Sequence, residues 1–171
     1  IMDITFGYSS ASMLSGAGVQ SDGTNTNTQH EKKLNIYNSM AQVLMGYEID
    51  GRVRRFDSDG DLTDAMTSES QAKKMDDVIF LNFSRLLTKD EIKKGSFSMT
   101  VVTGGAVTTN HGQSEHYLTL ADHNAQNDYY INSPSGEYGI LYTGSSNTGN
   151  KNGFGLVFYQ AGIVALTSSV F

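Results

Sequence analysis

The alternation of apolar and polar positions is clearest between residues 79 and 101, in the run IFLNFSRLLTKDEIKKGSFSMTV. Ile79, Leu81 and Phe83 alternate with Phe80, Asn82 and Ser84, close to the period of two expected of a strand with one buried face. Thr88 then stands three residues before Glu91. That is the spacing of a capping box, in which a hydroxyl and a carboxylate satisfy the open backbone donors of a helix start. Lys93 and Lys94 fall where a helix dipole favours cations, and Gly95 suits the left-handed conformation that ends a helix. Phe97, Met99 and Val101 then resume the alternation. The pattern predicts a strand, a short capped helix over residues 88–94 and a second strand.

Elsewhere Leu34, Tyr37, Met40, Ala41, Leu44 and Tyr47 fall at helical spacing, so residues 31–45 are predicted to form an amphipathic helix ending near Gly46. Its apolar stripe is expected to pack on a sheet. Residues 47–56 read as a hairpin turning at Asp50-Gly51. Further strands are expected at 116–121, 128–132, 138–143, 153–160 and 163–170, the last two joined by the tight Gln160-Ala161-Gly162 connection. Residues 4–8 fit a short strand. The stretch after it, to residue 28, is dominated by Ser, Gly, Asn and Thr, so residues 1–30 read as a polar N-terminal arm or loop. Residues 31–171 then read as a single β-rich domain, an antiparallel sandwich or roll with the helix packed against it.

Composition narrows the class. The chain has 171 residues, enough for one domain with a core. Eighteen glycines beside a single proline, with 9 tyrosines and 8 phenylalanines, suit a sheet protein with many tight turns. No apolar run approaches the roughly 20 residues of a membrane-spanning helix, so no membrane partner is expected. A formal charge of −6 argues against general nucleic-acid binding, which needs a basic surface. The absence of cysteine removes disulfides and thiolate chemistry, and favours assembly inside a cell or stabilisation by neighbouring subunits. Nothing near Ile1 reads as a signal peptide, and the absent initiator methionine leads us to expect a piece of a longer polypeptide.

Candidate chemistry is sparse. Asp57, Asp59 and Asp61 in DSDGD imitate the opening of a calcium loop, whose hard cation wants carboxylate oxygens. Leu62 and Ser68 break the rest of that pattern, and a polar turn explains the same residues. His111, His116 and His123, with Glu115 and Asp122, offer zinc- or iron-type ligands at a spacing that matches no specific signature. No GxSxG elbow, P-loop or dinucleotide loop is present. The expectation is therefore no enzyme, no cofactor and no metal, with Asp57, Asp59, Asp61, His111, His116 and His123 as the weak metal candidates.

Three blocks together carry a resemblance: KLNIYNSMAQVLMGYEIDG from residue 33, FLNFSRLLTKDEIKKGSFSMT from residue 80, and EYGILYT with GLVFYQAGIVALTSSVF from residue 137 to the end. Over residues 33–171 the chain resembles virion structural proteins of marine contractile-tailed phages, of the cyanophage kind. The resemblance implies a part of the particle (tail, baseplate or neck) that works by symmetric subunit assembly, with copies of itself and other virion proteins as partners. It brings no catalytic residues. The alternative is a β-sandwich receptor- or glycan-binding module of a tail fibre or spike, using exposed aromatics among Tyr129, Tyr130, Tyr138 and Tyr142.

Overall fold

The computed structural model describes residues 2–16, 28–60, 73–83, 90–102, 117–143 and 153–170. Chain order within them is β1 (Met2–Tyr8), a 3-10 turn (Met13–Gly16), α1 (Thr28–Leu44), β2 (Phe56–Asp57), β3 (Lys74–Met75), β4 (Asp77–Phe83) and β5 (Ser98–Val102). There follow β6 (Tyr117–Ala121), β7 (Tyr130–Ser133), β8 (Gly136–Thr143), β9 (Gly155–Phe158), β10 (Ile163–Thr167) and a closing 3-10 turn (Ser168–Val170). The main sheet runs β1-β4-β10-β9-β8-β6-β5, with β7 also paired to β8, and among the described residues β2 pairs only with β3. Every pairing is antiparallel. The fold is mainly β, the β-rich class expected from the apolar pattern, and among the described residues it has one α-helix.

The central position of β4, β10 and β9 follows from their being apolar on both faces. Val78, Phe80, Ala165, Leu156 and Phe158 point to one side, where they meet Tyr37, Ala41 and Leu44 of α1. Leu81, Val164, Leu166 and Val157 point to the other, where Val101 of β5 and Leu120 of β6 cover them. The sheet curls so that its last strands fold over its own second face. This is the roll form of the expected architecture, with one curled sheet covered on its first face by α1 and on its second by its own last strands.

Helix α1 starts three residues before the predicted boundary and ends where expected. The amides of Met45 and Gly46 both reach the Ala41 carbonyl, at 2.8 and 3.0 Å, and Gly46 then turns out of the helix with φ of 78°. The helix lies close on β1. A Cβ built on Gly7 would stand 2.8 Å from the Tyr37 amide nitrogen and 3.0 Å from the Lys33 carbonyl oxygen, both rigid backbone atoms. Gly7→Val is therefore expected to destabilise the fold by about 1–3 kcal/mol through overpacking, although valine is the better strand former. Urea unfolding checks this, with an unchanged or higher midpoint as the contrary result.

Three sequence expectations change. The described part of the predicted 88–94 helix, residues 90–94, is irregular backbone that begins in a bend and ends in a turn, while Thr88 lies outside the described residues. Distant partners hold this segment: the Ile92 amide donates to the Tyr159 carbonyl at 3.0 Å, and Asp122 takes the amides of Gly95 and Phe97. Gly95 still adopts the left-handed conformation, with φ of 74°. The 47–56 hairpin keeps its turn, with Gly51 at φ of 85°, but its ladder is a single Tyr47–Val53 bridge. Finally, the segment read as an N-terminal arm gives the main sheet a seven-residue strand, β1, paired along its whole length with β4. Beyond it, the Ser9 and Ser12 hydroxyls donate to Asp76 and Asp77, each at 2.5 Å.

Candidate functional site

The densest buried polar cluster grows from the two-rung sheet of β2 and β3, whose register sets Asp57 directly opposite Lys74. Their side chains form an ion pair at 2.9 Å with both groups shut off from solvent, at 2% and 0% exposure. Asp59, two residues on, pairs with Lys73 at 2.7 Å, and its amide donates to the Asp57 carboxylate at 3.1 Å. Burial, and then a side-chain hydrogen bond with Asp59, push the Asp57 carboxyl up to about 7 despite the nearby Lys74 ammonium. Two of the three carboxylates of the calcium-like run are thus brought together, but around the protein's own lysines. Asp61 lies outside the described residues.

Aromatic groups close over this cluster. The Tyr37 hydroxyl donates to the Met75 carbonyl at 2.8 Å and accepts the Phe56 amide at 3.2 Å, so it ties β2 and β3 to the helix. Its burial raises the phenol's pKa far above the usual range. Tyr130 stacks on Tyr138 with centroids 5.4 Å apart and donates to the Asp59 carbonyl at 3.1 Å. Burial, and then Tyr130, also raise the Tyr142 phenol, to about 12.

A second cluster centres on Asp122, which is 1% exposed. Its two oxygens accept the Gly95 amide at 2.8 Å, the Phe97 amide at 2.9 Å and the Tyr159 hydroxyl at 3.1 Å. Burial first, and then this carboxylate, hold the Tyr159 phenol protonated. Gly139 makes room for that hydroxyl, since a Cβ there would lie 2.0 Å from it. Asp122 is a clamp between the segment before β5 and the turn after β9. Its neighbour His123 is exposed, and His111, Glu115 and His116 lie outside the described residues. Among the described residues no three His, Asp or Glu side chains converge to hold a metal ion.

A cavity of about 350 Å³ opens between the N-terminal 3-10 turn and the end of β10, lined by Ser12, Lys74, Asp76, Asp77, Thr167 and Ser169 among others. Its carboxylates are already engaged, Asp76 by Ser9 and by Arg55 at 3.1 Å, and Asp77 by Ser12. Two of the four aromatics of the glycan-binding alternative are internal, with Tyr138 at 0% and Tyr142 at 8% exposure, and Tyr130 is half-buried. Tyr129 is exposed, and the Lys94 ammonium, which also pairs with Glu137, lies 3.8 Å from its ring centroid.

Sequence reasoning missed Lys74, Tyr37 and Tyr159. The available signal was the run KKMDD after DSDGD, two lysines set to neutralise two aspartates, but its charges read equally well as a solvated turn. The buried polar groups here tie strands to turns, and the surface features that lack such an explanation are strand edges and exposed apolar side chains. No family model, no curated protein and no solved structure matches the chain.

Proposed function

We propose that the chain is a structural component of a tailed-phage virion, in its tail, baseplate or neck, acting through symmetric assembly with copies of itself and other virion proteins. One observation carries the assembly part of this reading. The main sheet ends in β1 and β5, each paired with a single strand among the described residues, and both ends carry exposed apolar side chains. Met2 and Ile4 on β1 are 46% and 65% exposed, and Val102 on β5 is 53% exposed. Open edges of this kind invite pairing with another chain, and closed symmetric assemblies use them. The engagement of the buried carboxylates in ion pairs and clamps supports a building part over a site of turnover. The phage context rests on the three sequence blocks.

The glycan-binding reading has less support, because two of its four tyrosines belong to the core. The test is mass spectrometry of purified particles of the encoding phage, joined to a density map. The expected result is the chain at a fixed copy number in the tail, baseplate or neck. Its absence from the particles, together with glycan-dependent binding of the isolated chain, overturns the proposal.

A further inference from the structure

Exposure along β1 falls from one end to the other: Met2, Asp3 and Ile4 are exposed, Thr5 and Phe6 half-buried, Gly7 and Tyr8 buried. Helix α1 causes the gradient. Its backbone presses on Gly7, His30 Nδ1 lies 2.6 Å from the Tyr8 hydroxyl, and the Lys33 ammonium lies 5.8 Å from the Phe6 ring centroid. The first half of the strand is left uncovered by α1, and no strand but β4 pairs with it among the described residues. Such edges are ordinarily guarded by charged side chains, lysine above all, by proline or by a bulge, and Asp3 is the one charge on this strand. In MDITFGY there is neither lysine nor proline, and the ladder to β4 is regular over seven pairs.

We propose that β1 pairs antiparallel with β1 of a second copy, across a two-fold axis at Ile4, so that the main sheet continues through a dimer. This rests on the assembly reading above and names its first interface. The unmet groups at a sheet edge are backbone N–H and C=O, so the fitting partner is an extended strand, and a two-fold axis makes the two edges the same patch. Side-chain facing then limits the register. Met2, Ile4 and Phe6 share a face, so paired positions must preserve that alternation and the axis must pass through a residue. An axis at Asp3 would set two aspartates directly opposite each other, which is destabilising. An axis at Thr5 would set Met2 against Tyr8 and Asp3 against Gly7, and both Gly7 and Tyr8 are buried beside α1.

The axis at Ile4 meets each demand. It sets Ile4 against Ile4, Met2 against Phe6 and Asp3 against Thr5 of the second copy. The apolar pairs extend the face already formed on β4 by Phe83, Leu81 and Ile79, the register partners of Met2, Ile4 and Phe6.

The chain contains no cysteine, so one introduced thiol reports on proximity without background. Directly opposed Cβ atoms in an antiparallel pair are about 4.5–5.5 Å apart, near enough for a disulfide after small adjustment. Under mild oxidation, Ile4→Cys is expected to become mostly covalent dimer, while Ile49→Cys, at a fully exposed position remote in sequence from β1, stays mostly monomeric. Ile4→Lys is expected to weaken self-association at least tenfold by light scattering, with the urea midpoint of the monomer unchanged. Equal cross-linking of both cysteine variants, or unchanged association of Ile4→Lys, overturns this interface. If the chain is nevertheless found at fixed copy number in particles, the virion reading stands without it. A wild-type chain that stays monomeric at high concentration also overturns the interface, and only absence from particles removes the reading beneath it.

Discussion

Asp122→Ala is expected to lower the free energy of unfolding by about 2–4 kcal/mol, a large share of a small domain's stability. The reason is the number of donors that converge on one carboxylate. Removing it strands the amides of Gly95 and Phe97 and the hydroxyl of Tyr159, all now within 3.1 Å of its oxygens. The Tyr159 hydroxyl is buried and costs about 1–3 kcal/mol when left unsatisfied, while Gly95 is exposed and Phe97 half-buried, so water takes up part of the loss at those two amides. Urea unfolding measures the loss, and hydrogen exchange at Gly95 and Phe97 locates it. A loss under about 1 kcal/mol, the size of an ordinary surface change, would show that the clamp is not structural.

Asp122→Asn separates shape from charge. The amide keeps one acceptor oxygen but turns an NH₂ group towards donors, so the expected loss is roughly half that of alanine. Tyr159→Phe removes one hydroxyl and leaves the two amides satisfied, for a loss of about 1 kcal/mol. The ordering alanine, asparagine, then Tyr159→Phe from largest to smallest is the signature of a carboxylate acting mainly on the backbone.

The same clamp explains where the sequence was readable and where it was not. The terminal hairpin of β9 and β10 is legible because its apolar residues run almost without break and Gly162 supplies the turn, with φ of 67°. Helix α1 is legible because Tyr37, Ala41 and Leu44 recur at its period. In both, neighbours along the chain carry the information. The 88–94 segment has the local marks of a helix start, yet the donors of Gly95 and Phe97 are claimed by a carboxylate 27 and 25 residues away. No local rule sees that competitor. The two-rung sheet fails for the same reason, since Asp57 acquires its partner only when Lys74 arrives opposite it. Likewise β1 was readable as a strand, but its place beside β4 depends on contacts some 70 residues distant, such as the hydroxyl of Ser9 on Asp76. The candidate metal residues show the limit from the other side. Ligand types were visible, and what stands between Asp57 and Asp59 and any ion is two lysines that spacing alone did not bring to them.

That internal pairing sets the second large effect, which depends on pH. Asp57 has its carboxyl raised from 3.8 to about 7 in the folded chain, by burial first and then by the hydrogen bond with Asp59. Between those values the folded state holds a proton that the unfolded chain has released. The stability linked to Asp57 is therefore fully present below about pH 4, falls as pH rises through the window, and reaches its lowest level above 7. Lys74 is the cation that limits this fall. Lys74→Met fills a similar volume without charge, so it drives the carboxyl higher still and lets the decline continue past pH 7. The expected gap between wild type and Lys74→Met is smallest at pH 5, where the carboxyl is protonated in both, and widens by about 1.4 kcal/mol by pH 8, one pH unit beyond the folded carboxyl's pKa. Asp57→Asn should flatten the wild-type slope across the same window, and adding it to Lys74→Met should recover most of the loss, because no carboxylate is then left unpaired. Chemical unfolding of the four proteins at pH 5, 6.5 and 8 tests this. A gap that stays constant with pH would mean that Lys74 acts through packing alone, since only an ionising partner makes its removal cost more as protons leave.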